Sequence, residues 1–124
     1  MTSGQQWWQA AQYVTPLGGL PLRPHGFSFN ANNTIIRYMK VSQPIAWNFN
    51  LKGNNYVVND NWIDASYDLD TPAVFPFNTD GYDVGGYNYT FYNNHVFNGD
   101  DCVAVNNGGT CTYCFLLVFS IVLT

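Results

Sequence analysis

Between Asn32 and Val105 the chain alternates short blocks of polar turn formers with short β-prone runs. Asn32-Asn33-Thr34-Ile35-Ile36, Asn54-Asn55-Tyr56-Val57-Val58 and Tyr87-Asn88-Tyr89-Thr90-Phe91 each set such formers ahead of branched or aromatic residues, and a further apolar triplet follows each. Ile35 to Val57 is 22 residues, Tyr82 to Val103 is 21 and Val57 to Thr90 is 33, as if one copy carried an inserted loop. A period in the twenties marks a solenoid, in which each unit buries the face of its neighbour. Ile45-Ala46-Trp47-Asn48-Phe49-Asn50-Leu51 and Cys102-Val103-Ala104-Val105 read as short strands with one face inward. Asn and Gly punctuate these runs, and both tolerate the left-handed backbone of sharp corners. Leu does not recur at the fixed places that a leucine-rich repeat needs. The expected fold is therefore all-β, a right-handed parallel β-helix, with coils from about Phe27 to Val105 and at most a short helix near Gln5–Tyr13.

Composition narrows the function classes. At 124 residues the chain holds one domain. Charged residues make up 10%, well under the usual ~25%, while 47% hydrophobic residues argue against disorder. There are eight acidic residues, all Asp, against four Lys plus Arg, and a net charge of -4 offers no basic stripe for a phosphate backbone. Nucleic acid is set aside as a partner. Met1 to Gln12 lacks the pattern of a secretory signal, and the apolar run Cys111 to Thr124 is shorter than the ~20 residues of a membrane span. No membrane partner is expected. Three cysteines, two of them in that tail, do not make a disulfide framework. Asn32-Asn-Thr34 and Asn88-Tyr-Thr90 are acceptor triplets for N-linked glycans if the protein is secreted. Trp47 and Trp62 are expected to fill or flank the core, and His95 to hold a surface or corner position.

The candidate chemistry gathers after the inserted loop. Asp80 lies 20 and 21 residues before Asp100 and Asp101, about one repeat, so stacked coils bring the three to one face. Like charges held together push one pKa up and retain a donatable proton, the asymmetry that glycoside hydrolysis uses. Asp-Gly and Gly-Asp pairs are also ordinary turn residues, and on composition alone that plainer role outweighs the catalytic one.

Asn78-Thr79-Asp80-Gly81, followed one coil later by Gly99-Asp100-Asp101-Cys102-Val103-Ala104-Val105, resembles the paired signature of the polygalacturonases, the pectin-cleaving glycoside hydrolases. The resemblance extends through Gly81-Tyr82-Asp83-Val84 and Asn93-Asn94-His95-Val96-Phe97-Asn98. Less specifically, Gln6-Trp7-Trp8 and Leu22-Arg23-Pro24-His25 are similar to fungal exo-acting members. It covers roughly residues 4 to 109.

The resemblance implies inverting hydrolysis of α-1,4-galacturonosidic bonds in pectin or polygalacturonic acid by a secreted enzyme without cofactor or metal. Asp100 would be the general acid, its pKa raised by its neighbours, and Asp80 and Asp101 would hold and activate the water. Asn78 and Asp83 would contact substrate. An inverting site places acid and base about 6.5–9.5 Å apart. Asp100 and Asp101 would point to opposite faces of an ideal strand, so a bent coil is required there.

The family's Gly-His-Gly and Arg-x-Lys segments do not occur in this chain. Residues 1–109 are thus read as a partial β-helix domain and 110–124 as an apolar tail outside the family fold, in a truncated chain of little activity. Cys102 then lacks a family partner. The remaining readings are an inactive or glycan-binding module and a xylogalacturonan or rhamnogalacturonan hydrolase. A calcium-dependent lyase is disfavoured, because Arg23, Arg37, Lys40 and Lys52 all lie well upstream of the Asp cluster and calcium wants six to eight oxygen ligands.

Overall fold

The computed structural model describes residues 3–14, 23–66 and 75–106. A helix α1 (Ser3–Val14) precedes seven strands: β1 (Phe27–Arg37), β2 (Lys40–Ser42), β3 (Phe49–Asn59), β4 (Trp62–Asp64), β5 (Tyr82–Tyr92), β6 (His95–Phe97) and β7 (Val103–Val105). All pairings are parallel, in one sheet of order β1-β3-β5-β7 and a second of order β2-β4-β6. This is the parallel β-helix expected, with the expected limits at Phe27 and Val105 and the short helix ahead of them. The repeat spacing is also the observed register, for Ile35 pairs with Val57, Val57 with Thr90 and Tyr82 with Val103. The inserted loop falls between β4 and β5. The tail from Cys111 and the limit of the domain at residue 109 lie outside the described residues.

Each long strand turns a corner at an Asn in left-handed conformation: Asn33 (φ 56°), Asn55 (φ 61°) and Asn88 (φ 62°). Asn suits this corner because its short polar side chain tolerates positive φ and can bond locally. Here the amides bond to one another along the coil axis, Asn55 Nδ2 donating to Asn33 Oδ1 at 2.9 Å and Asn88 Nδ2 to Asn55 Oδ1 at 2.7 Å. Inside, like residues stack. Phe27, Phe49 and Tyr82 form a column with centroid spacings of 4.9 and 5.3 Å, and Tyr56 lies on Tyr89 at 5.1 Å. Leu51, Val58, Ile63, Val84, Phe91 and Val96 complete the buried core, where large aromatics supply most of the apolar area withdrawn from water.

One local expectation needs correction. Strand β3 begins at Phe49 rather than Ile45, because the Ile45 carbonyl accepts from Arg23 Nη1 at 3.1 Å and Asn48 N donates to Asp80 O outside the ladder. Trp8 of α1 is fully buried with Ala65 in a cluster apart from the coil core, its indole N–H donating to Pro44 O at 2.9 Å. Trp47 and Trp62 flank the coils from outside, each stacked on a histidine, and His95 is the exposed partner of Trp62.

Candidate active site

The outer face of the β1-β3-β5-β7 sheet and the turns leading into it carry the site. Asp80 and Asp101 occupy matching positions on successive coils, since Gly81 N donates to Asp101 O at 2.9 Å and Tyr82 N to Cys102 O at 3.1 Å. The stretch between β6 and β7 is bent rather than extended, as the resemblance required. Asn98 Nδ2 holds the bend by donating to Thr79 O at 3.1 Å and Asp101 O at 2.9 Å, and Gly99 N donates to Thr79 Oγ1 at 3.0 Å. With strand alternation broken, Asp100 and Asp101 turn to the same side. One carboxylate oxygen from each of Asp80, Asp100 and Asp101 lies within 4.8 Å of the others.

Asp80 is the buried member, 6% exposed, and its Oδ1 has no hydrogen-bond partner among the described residues. Its pKa is pushed up to about 7, first by burial and then by the charge on Asp100, with smaller pushes from Asp83 and Asp101 and a partial offset from a backbone hydrogen bond. Asp80 is the carboxyl withdrawn from water, while Asp100 and Asp101 are exposed. The three oxygens could ligate one cation, supplying half or less of the shell calcium takes.

Asn78 and Asp83 both belong to the same neighbourhood. Asn78, itself in left-handed conformation, donates from Nδ2 to Asp100 Oδ2 at 3.4 Å. Asp83 projects from the outer face of β5, its pKa raised by burial and by Asp100 and Asp101 and lowered in part by His25.

Sequence reasoning missed the residues that hold these in place. Buried Arg23 donates to Phe77 O at 2.7 Å and to Asn78 Oδ1 at 3.1 Å, so the turn before Asp80 is fastened from 55 residues away. Asn48 Nδ2 donates to Asp80 O at 2.9 Å. Lys52 and His25 also converge here, lining with Trp47, Asn50, Asp83, Gly85, Gly86 and Asn106 a cavity of about 680 Å³. Distance along the chain had separated the cations from the cluster, but each coil returns the chain to the same face. The thiol of Cys102 is free, and its pKa is raised by burial and by Asp101.

The family model described as glycosyl hydrolases family 28 matches residues 2–116. A probable exopolygalacturonase C of Aspergillus niger is 40% identical over 82% of this chain and 22% of its own length. The protein of the same name from Aspergillus fumigatus is 39% identical over 83% of this chain and 22% of its own. An endopolygalacturonase B of Emericella nidulans is 29% identical over 89% and 29%. No solved structure gives a significant match. The chain spans about a fifth of the length of the first two relatives.

Proposed function

Because the chain belongs to glycosyl hydrolase family 28, we propose that it supplies the acid/base face of an enzyme that hydrolyses α-1,4-galacturonosidic bonds in pectin. The observation that supports this reading is the convergence of Asp80, Asp100 and Asp101, one of them buried and holding a proton near neutrality. Asp100, exposed beside the bent coil, gives its proton to the leaving oxygen, and Asp80 and Asp101 hold the attacking water. Two hydrogen bonds of about 2.8 Å to one water span oxygens less than 5 Å apart, so the separation of the oxygens suits a shared water. Strongly coupled carboxylates titrate as a unit, and the working state carries one proton among the three. Asn78 orients Asp100, and Asp83 faces the bound sugar chain. The relatives are named for polygalacturonan rather than for xylogalacturonan or rhamnogalacturonan, and this chain follows them in the reading.

The experiment joins this chain to the downstream portion of such a relative, bearing the Gly-His-Gly and Arg-x-Lys segments, and measures reducing sugar released from polygalacturonic acid. Release by the joined protein supports the assignment, and inactivity with an intact fold contradicts it. The reading has a stereochemical consequence, since the resemblance implies inversion. Proton NMR of the first product decides, since inversion at an α-linkage yields the β-anomer and retention the α-anomer.

An extracellular location accompanies this reading, with glycans at the exposed Asn32 and Asn88. Among the described residues no helix is long and apolar enough to cross a membrane.

A further inference from the structure

Among the described residues, one glycine has no backbone reason to be glycine. At Gly53 and Gly86 φ is positive and an added Cβ would sit 1.9 Å from a carbonyl oxygen, while at Gly4, Gly81 and Gly99 it would meet one at 2.3 to 2.5 Å and at Gly26 one at 3.1 Å. A Cβ on Gly85 meets nothing within 4 Å. Gly85 lies in the interior of β5, where glycine forfeits side-chain packing and strand stability. A glycine retained there without need of positive φ or close packing marks a surface left open for something else to approach.

Gly85 opens into the cavity that Lys52 lines from the opposite register position on β3. Lys52 is exposed and makes no ion pair among the described residues. The chain's other cations are placed elsewhere. Arg23 is buried on Ile45, Phe77 and Asn78, Arg37 lies over the Tyr38 ring, and Lys40 belongs to the second sheet. His25 and Trp47, stacked at 5.0 Å, form a flat aromatic wall, and Asn50, opposite Asp83, offers a neutral amide. The Asp83 carboxyl, set against His25, also lines the cavity and can accept from a sugar hydroxyl, while the aromatic wall, open floor, uncommitted cation and amide complement the rest of an acidic sugar ring. The cavity, at about 680 Å³, falls in the usual range of about 300–1,000 Å³ for small-ligand sites.

We propose that Lys52, Gly85 and the His25–Trp47 stack form a subsite for one uronate ring of the substrate beside the acid cluster, with Lys52 pairing its carboxylate. The proposal rests on the galacturonan reading above and adds to it the group that selects acid over ester. It also gives this chain a cation for a polyanion without the downstream Arg-x-Lys segment.

The test is calorimetric titration of the chain with trigalacturonate, with its methyl-esterified form and with a neutral oligosaccharide. The parent should prefer trigalacturonate to both. Lys52→Gln should weaken binding roughly tenfold or more, as loss of a charge-assisted pair does, and abolish the preference for acid over ester, while Lys52→Arg keeps it. Gly85→Phe should fill the floor and weaken binding of both charged and esterified forms. If the parent binds trigalacturonate but Lys52→Gln retains full affinity and selectivity, the subsite is wrong and the galacturonan reading stands. If the parent shows no preference for galacturonate over the neutral sugar, both are wrong.

Discussion

The backbone amide next to Asp80 donates to the carbonyl of Asp101, so two carboxylates 21 residues apart are fixed on adjacent coils with one of them, Asp80, shut away from water. Burial makes that position costly for a charged carboxylate, with a further push from Asp100 and a smaller one from Asp101, and the cost appears as a raised pKa.

That cost should be visible in stability. Asp80 titrates near 7 in the folded chain against an ordinary value of 3.8, so the folded form holds its proton more tightly than the unfolded form does. Its contribution is fully present below about 3.8 and is lost as pH rises through about 7. Asp83, also raised, acts in the same direction. The melting temperature followed by circular dichroism should fall between pH 5 and pH 8, and Asp80→Asn should flatten the fall and raise the melting point at pH 8. An unchanged slope in that variant would contradict the assignment.

Buried Asn94 joins three coil segments: its Oδ1 accepts from Asn61 N, Asn61 Nδ2 and Tyr82 Oη, and its Nδ2 donates to Val58 O at 2.8 Å and Tyr92 O at 3.2 Å. Asn94→Ala leaves several of these groups unsatisfied in the interior and should cost about 2–4 kcal/mol in denaturant unfolding. Exposed Asn93, next to it, donates only a long bond to Asp60 at 3.4 Å, and Asn93→Gly should cost little.

The two adjacent glycines of β5 should differ. Gly86→Ala forces a Cβ to 1.9 Å from Gly53 O at a φ of 135° and should destabilise by more than about 1 kcal/mol, while Gly85→Ala should fold as the parent does. Equal melting temperatures for the two variants would contradict the geometry.

The coil register and the Asn corners were legible because both are set by local chemistry repeated at a fixed interval: Asn33, Asn55 and Asn88 each mark the same turn, and Ile35, Val57 and Thr90 each follow it. The gathering of Asp80, Asp100 and Asp101 could be read from the same interval. Burial at the site could not, for nothing in Asn-Thr-Asp-Gly says that Asp80 rather than Asp100 is shielded. That depends on the coil bent by Asn98 and Thr79. Arg23 and Lys52 were misjudged because distance along a solenoid is no measure of distance across its face. The stack of His25 on Trp47 follows the same 22-residue interval, but no strand run surrounds His25 in the sequence to mark it.

The most direct test of the account is the rate at which the chain, joined to a relative's downstream segments, releases reducing ends from polygalacturonic acid with and without Asp100→Asn. The amide is nearly isosteric, so the fold and the bond to Asn78 can persist, but it cannot give the leaving oxygen a proton. The account predicts measurable hydrolysis by the parent and a loss of about 10²- to 10⁴-fold in the variant. A variant that hydrolyses at the parent's rate would contradict the assignment of Asp100 as the acid.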